Sequence, residues 1–130
     1  MKSLFSVLLN IPLLAGAVSA SAQTVFLTAL DPGKISQGWG SPQVDKSVRG
    51  QPLSIAGQKF EHGLGTHAPM TLYVRVNGAI RFQSMVGIDD SSGSTTEGGV
   101  SFKLSGVGKA LFDSPVLKPG DKPLPVDVDL

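Results

Sequence analysis

The most distinctive stretch of the chain is Phe60-Glu61-His62-Gly63-Leu64-Gly65-Thr66-His67-Ala68-Pro69. It holds both histidines of the chain, and a proline closes it. Glycine and proline between short β-prone runs are typical of connectors rather than of strand interiors. We therefore interpret the stretch as a bent connector in a β-sandwich, close to any ligand site that the fold carries.

The composition excludes several functional classes. Lys and Arg number 11 against 10 Asp and Glu, so no nucleic-acid partner is expected, because such a footprint needs clustered excess positive charge. No cysteine is present, which excludes a disulfide framework, a thiolate zinc site and a cysteine nucleophile. Sixteen Gly and nine Pro predict many turns around a modest core in one β-rich domain.

Residues 1–22 have the features of a signal peptide. Lys2 supplies a positive start, an apolar run extends from Leu4 to Val18, and small residues follow. We predict cleavage after Ala22, with Ala20 as the second choice. The sequence therefore predicts a secreted or periplasmic protein.

A membrane anchor is the alternative interpretation of the same segment. The apolar run is short for a membrane span, and Pro12 lies inside it. We therefore expect the mature domain, residues 23–130, to have no membrane span.

Short β-prone runs separated by turn signals predict an antiparallel sandwich or jelly roll. The clearest is Thr71–Val86, which we expect to form a hairpin around a Val76-Asn77-Gly78 loop, since that register keeps one apolar face. It also sets Tyr73 opposite Arg81 as a cation–π pair. Further strands are expected at residues 24–30, 52–55, 100–104, 109–112 and 125–130, with a turn at Asp31-Pro32-Gly33.

The two histidines have the residue types of a metal site but not its spacing. His62 and His67 lie five positions apart, with Glu61 beside the first. The helical metalloprotease pattern is His-Glu-x-x-His, and this stretch is neither helical nor so spaced. We expect the histidines to fix a loop or to contact a sugar hydroxyl.

Asp89 and Asp90 are adjacent carboxylates, and Glu97 follows in a polar loop. Neighbouring residues on a strand point to opposite faces, so the pair does not flank one scissile bond as a glycosidase pair does. We expect one of them to anchor a turn or to accept backbone N–H bonds. A structural calcium site, built from carbonyl oxygens and one Asp, is the one cofactor left open.

Trp39 is the only tryptophan. An exposed aromatic ring in a sugar-binding sandwich stacks on a pyranose ring, and the alternative is packing in the core. Neither a Gly-x-Ser-x-Gly nucleophile elbow nor a phosphate-binding loop is present, so no catalytic residue is predicted.

A series of blocks runs along the mature chain in a fixed order: Gly38-Trp39-Gly40, Asp45-Lys46-Ser47-Val48, Gly50-Gln51-Pro52-Leu53, Ile55-Ala56-Gly57, Phe60, Gly63-Leu64-Gly65-Thr66-His67-Ala68, Phe82 and Val86-Gly87-Ile88-Asp89-Asp90. In order and spacing they resemble the NPCBM domain, a carbohydrate-binding module first associated with family 98 glycosyl hydrolases. The resemblance covers roughly residues 24–130.

The resemblance implies a galactose-binding-like jelly-roll β-sandwich that binds glycans without catalysis, often beside a glycosidase catalytic domain. It carries over as motif positions Gly63, Gly65, Thr66, His67, Asp89 and Asp90, with Trp39 also matching. The candidate ligand-binding residues are Trp39, His62, Thr66, His67, Arg81, Asp89 and Asp90.

This chain departs from the family at its C-terminal end. Family members continue past the strand that begins at Pro125 into at least one more core strand, whereas the sequence ends at Leu130. We therefore expect the sandwich to lack its last strand and to leave a sheet edge open, either because the gene product is truncated or because the strand comes from elsewhere. Two further functions stay open: a fragment of a glycosidase, and an adhesion module that binds protein through its sandwich edge.

Overall fold

The computed structural model describes residues 2–3, 6–9, 22–29, 35–93 and 98–130, the first two ranges as backbone only. Within these ranges the chain forms thirteen β-strands and two single 3-10 turns, without an α-helix. The all-β prediction is confirmed. None of the described residues belongs to a helix long and apolar enough to cross a membrane.

The strands run in chain order as β1 (Lys2–Ser3), β2 (Ser6–Leu9), β3 (Gln23–Phe26), β4 (Ile35–Gln37), β5 (Gln43–Val44), β6 (Leu53–Ile55), β7 (Gln58–Phe60), β8 (Leu64–Gly65), β9 (Met70–Leu72), β10 (Arg81–Gly87), β11 (Lys103–Gly106), β12 (Lys109–Asp113) and β13 (Leu124–Asp129). The 3-10 turns are Leu27–Ala29 and Asp90–Ser92.

The main sheet is built around β10, its longest strand. Along one edge β10 pairs with β13 in an antiparallel register from Arg81↔Asp129 to Val86↔Leu124. Along the other edge it pairs with β2 and β1, and the sheet continues in the order β3-β2-β10-β1-β8-β5. Three two-stranded units accompany it: β4 with β9, β6 with β7, and β11 with β12.

The core lies on one face of β10 and β13. Side chains alternate along a strand, so Phe82 and Val86 of β10 point to the same side as Val126 of β13. These three are buried together with Ala79 and Leu117. Against them pack Phe102, Leu104, Phe112, Leu124 and Val128. Leu104 of β11 and Phe112 of β12 bring the β11–β12 hairpin over the sheet as a second layer.

The hairpin predicted for Thr71–Val86 is wrong. β9 pairs with β4, with Ile35 opposite Leu72, and β10 pairs instead with β13, β2 and β1. The turn itself forms, since the Ala79 N–H donates to the Val76 carbonyl at 2.8 Å. The pairing of β10 with β13 is favoured over the local hairpin, because it buries the apolar face of β10 in the main core.

The predicted Tyr73–Arg81 pair fails with the hairpin. The Arg81 guanidinium binds Asp127 on β13, and the Tyr73 side chain is 80% exposed. Strands predicted from residues 52, 109 and 125 form within two residues of those starts, and the strand predicted from residue 100 begins at Lys103. The turn predicted at Asp31-Pro32-Gly33 and the candidate Glu97 lie outside the described residues.

Candidate functional site

The two histidines lie on either side of one short buried strand, β8. This strand pairs with β5 through Gln43↔Gly65 and Val44↔Leu64. A Cβ atom at Gly65 would lie 2.1 Å from the Lys46 carbonyl oxygen, so only glycine allows β8 to approach that backbone. His62 precedes β8 and His67 follows it, so the fold places them at opposite ends of a buried strand.

At one end, Trp39 and His67 form an exposed aromatic pair. The indole is 56% exposed, and its ring centroid lies 5.6 Å from that of the imidazole, at an interplanar angle of 59°. His67 is also exposed. Of the two alternatives for Trp39, the structure therefore places the ring at the surface and not in the core.

The backbone under this pair is fixed by neighbouring contacts. The Gly38 N–H donates to the Pro69 carbonyl at 3.0 Å, and the Gln37 side-chain amide donates to the Trp39 carbonyl at 2.7 Å. A Cβ at Gly38 would come within 2.9 Å of Pro69 Cδ. The segment that carries Trp39 is thereby joined to the segment that follows His67.

At the other end, His62 belongs to a different surface. Its ring centroid lies 4.5 Å from that of Phe26, and its Nδ1 lies 3.6 Å from an Asp45 carboxylate oxygen. The Asp45 carboxylate also accepts from the Gly63 N–H at 3.0 Å, and the Asp45 backbone N–H donates to the Gly63 carbonyl at 2.7 Å. His62 therefore lies against a residue that fixes the backbone before β8.

His62 lines a cleft of about 540 Å³ on the main sheet. Phe26, Phe60, Met85 and Pro125 give the cleft apolar walls. Charged and amide groups at its rim include Glu61, Gln83 and Asp127. Within the described part of the chain no three His, Cys, Asp or Glu residues gather as a metal site would require, and the calcium site stays a prediction.

Asp89 and Asp90 hold the β6–β7 hairpin. The Asp89 side chain is 2% exposed and accepts from the backbone N–H groups of Ser54 at 3.1 Å and Ser91 at 3.0 Å. Asp90 accepts from the N–H groups of Ala56 at 2.9 Å and Gly57 at 3.0 Å, in the turn between the two strands. Both carboxyl groups thus have the turn-anchoring type of contact expected for one of them.

Arg81 and Thr66 are likewise engaged in the fold. Arg81 binds Asp127 in a bidentate pair, through Nε and Nη2 at 2.6 Å each. This hydrogen bond, together with one from Gln83, lowers the pKa of Asp127 to about 2. The Thr66 side chain is 1% exposed. Direct contact of the seven candidate residues with a glycan stays a prediction for each of them.

Two residues that position the site, Asp45 and Ser54, were not predicted from the sequence as site residues. Asp45 has φ 58°, a left-handed conformation that Asp tolerates better than most residues. The only sign in the sequence of this turn-forming role is that Asp45 lies in a polar connector. Ser54 supplies the N–H that the buried Asp89 accepts, and an isolated serine in a short strand carries no signal of such a contact.

An all-β sandwich with an exposed indole–imidazole pair has the architecture of a carbohydrate-binding module, in which an aromatic ring and a few polar groups receive a sugar. The NPCBM/NEW2 domain family model matches residues 23–130. The chain therefore belongs to the NPCBM/NEW2 family and to the class of carbohydrate-binding modules, which confirms the family predicted from the sequence.

Two relatives are much larger than this chain. Residues of the chain are 33% identical over 95 positions to a Renibacterium salmoninarum protein named as an endo-alpha-N-acetylgalactosaminidase, covering 68% of this chain and 6% of that protein. They are 30% identical over 107 positions to alpha-1,3-galactosidase B of Akkermansia muciniphila, covering 80% of this chain and 12% of that enzyme. The chain thus spans a small part of either relative.

A solved structure has the same fold. It is the CBM51 module from Clostridium perfringens GH95 in complex with methyl-galactose, with a TM-score of 0.69 and 25% sequence identity. The alignment covers 81% of this chain and 77% of that one. The likeness confirms the galactose-binding-like β-sandwich predicted from the sequence.

Proposed function

We propose that the protein is an exported accessory module that binds galactose-type glycans at the Trp39–His67 corner and keeps a glycosidase near its substrate. The structural neighbour was solved with methyl-galactose, and both relatives carry names of enzymes that act on galactose-type sugars. The association with family 98 glycosyl hydrolases is part of this proposal. It predicts a coding sequence for such a catalytic domain next to that of this module.

The observation that carries the proposal is the exposed Trp39 ring beside His67. The C–H-rich face of a galactopyranose packs against an aromatic ring, which buries apolar area without removing hydroxyl groups from water. An imidazole has both a donor and an acceptor nitrogen available for those hydroxyls when neutral. The corner therefore offers a stacking surface and hydrogen-bonding nitrogens, on two rings whose centroids lie 5.6 Å apart.

Glycan-array screening of the exported protein, followed by calorimetry on the best galactoside, tests the proposal. Trp39→Ala should weaken binding about tenfold or more, which corresponds to about 1.4 kcal/mol. Tyr73→Ala is the matched control, because Tyr73 is a second aromatic side chain, 80% exposed, and has no assigned role. Equal affinities of the two variants, or failure to bind any galactose-type glycan, would contradict the proposal.

The glycosidase-fragment alternative makes a separate prediction. A catalytic chain would release reducing ends from a glycan, and Asp89→Asn would abolish the release. Because the Asp89 carboxyl group is buried among backbone donors, we expect no release from the purified protein.

Export is proposed from the sequence of residues 1–22. If the signal segment is removed after Ala22, the protein recovered outside the cytoplasm begins at Gln23. Intact-mass measurement of the exported protein distinguishes this from cleavage after Ala20 and from a retained anchor.

A further inference from the structure

The N-terminal segment lies inside the main sheet and not at its margin. Backbone residues 2–3 pair with Gly87 and Val86 of β10 on one side and with Gly65 and Leu64 of β8 on the other. All of these pairings are antiparallel. Residues 2–3 therefore separate β10 from β8.

Residues 6–9 continue the same row. Ser6, Val7 and Leu8 pair with β10 from Gln83 back to Arg81, and residues 6–9 pair with β3 on the other side, from Phe26 back to Gln23. β10 thus forms one wall of a slot that is one strand wide. β8 forms the other wall beside residues 2–3, and β3 forms it beside residues 6–9. Neighbouring strands lie about 4.8 Å apart, so the slot is about 9.6 Å wide from β10 to its far wall.

Removal of the occupant would leave an unfavourable structure. Val86, Leu64 and Gly65 flank the slot and are buried. Their backbone N–H and C=O groups would lose strand partners in a largely apolar setting, and buried unpaired groups of this kind are strongly disfavoured. β10 and β3 both run antiparallel to β2, so they could close the gap only by forming a parallel pair in a new register.

The occupant is the segment whose sequence marks it for removal on export. We propose that the slot is a strand-accepting site, which in the exported protein binds an extended segment of another polypeptide, antiparallel to β10, in place of residues 2–3 and 6–9. This inference rests on the export and cleavage proposed above, but it does not depend on glycan binding at the Trp39–His67 corner.

The partner's chemistry follows from the slot. Backbone hydrogen bonds on two edges require an extended segment without proline at the paired positions. The residues that pair in the slot here are Lys2-Ser3 and Ser6-Val7-Leu8-Leu9, a mixture of polar and apolar types. A peptide of residues 2–9 is therefore a suitable probe.

The experiment uses the full-length gene expressed with and without export. The exported protein and the full-length protein kept in the cytosol are each titrated with a fluorescent peptide of residues 2–9. A control peptide carries Ser3→Pro and Val7→Pro. We expect the exported protein to bind the probe at least tenfold more tightly than the control peptide, and the full-length protein to bind neither, because its slot is filled.

Hydrogen exchange locates the peptide. The probe should slow exchange of the amides of Arg81–Gly87 and of Leu64–Gly65 in the exported protein. If the exported protein is unfolded alone, folding on addition of the probe, but not of the proline peptide, supports the same site. Equal binding of the two peptides, failure of the probe to bind or to restore folding, or an exported protein that retains residues 2–9 would overturn the proposal.

Discussion

Asp89 accepts a hydrogen bond from the backbone N–H of Ser54 at 3.1 Å, across 35 positions of sequence. The same carboxyl group caps the 3-10 turn that follows it, by accepting from the Ser91 N–H. One buried side chain thus ties β6 to the end of β10. The Gly-Ile-Asp-Asp block of the family is explained in this chain by the connection of these two elements.

Asp89→Ala should destabilise the protein by about 2 kcal/mol, because it leaves the buried N–H of Ser54 without this acceptor. Urea unfolding followed by circular dichroism measures the difference. Asp113→Ala is the control, since Asp113 makes an exposed ion pair with Lys103 at 3.4 Å and such pairs contribute about 0–1 kcal/mol. A variant Asp89→Asn that keeps its stability but loses glycan binding would instead make Asp89 a ligand contact.

The Arg81–Asp127 pair predicts an acid-dependent loss of stability. The pKa of Asp127 is about 2 in the folded protein, below the unfolded value of about 3.9. Above about pH 5 both states are almost fully ionised and the stabilisation is complete. As the pH falls toward 2 the unfolded state takes up the proton first, so this stabilisation is lost.

Asp127→Asn removes that titration. We expect the difference in urea midpoint between the original protein and the variant to be present at pH 6 and to shrink at pH 2.5. The effect is small because both side chains are about half exposed and water screens the pair. A difference that grows as the pH falls would show that another group controls the pair.

Gly65→Ala tests the close approach of β8 to the 46–47 backbone. The added Cβ would meet the Lys46 carbonyl oxygen at 2.1 Å, and backbone cannot move aside as a side-chain end can. We expect a loss at or above the upper end of the usual 1–3 kcal/mol for overpacking, measured by thermal unfolding.

Gly106→Ala is the matched control for this substitution. Its Cβ would meet only the end of the Leu111 side chain, at 3.0 Å, so the neighbour can shift. A similar loss for both variants would mean that the β8 approach is not special.

Sequence patterns predicted the class of fold, because alternation and turn residues are local properties. They misplaced the partner of β10, because Leu72 and Phe82 alternate correctly for a hairpin that the chain does not form. The choice of Val126 and Val128 as neighbours of Phe82 depends on a strand more than forty residues away. Local pattern carries no information about such a pairing.

The candidate site was predictable in its residue types and not in its grouping. His62 and His67 are close in sequence, yet β8 separates them, and each ring contacts an aromatic side chain from a different segment. Trp39 could be core or surface on sequence alone. The Gly38–Pro69 hydrogen bond and the β4–β9 pairing bring the Trp39 and His67 segments together, and both depend on the tertiary fold.

Because Trp39 is the only tryptophan, its fluorescence reports directly on a sugar bound at the Trp39–His67 corner. Methyl-galactoside is titrated into the exported protein while the tryptophan emission is recorded, in parallel with calorimetry. We expect a saturable change in emission with the same affinity as the calorimetric isotherm, weakened in His67→Ala and unaltered in Tyr73→Ala. Calorimetric binding that leaves the Trp39 emission unchanged throughout would place the sugar elsewhere and contradict glycan binding at the Trp39–His67 corner.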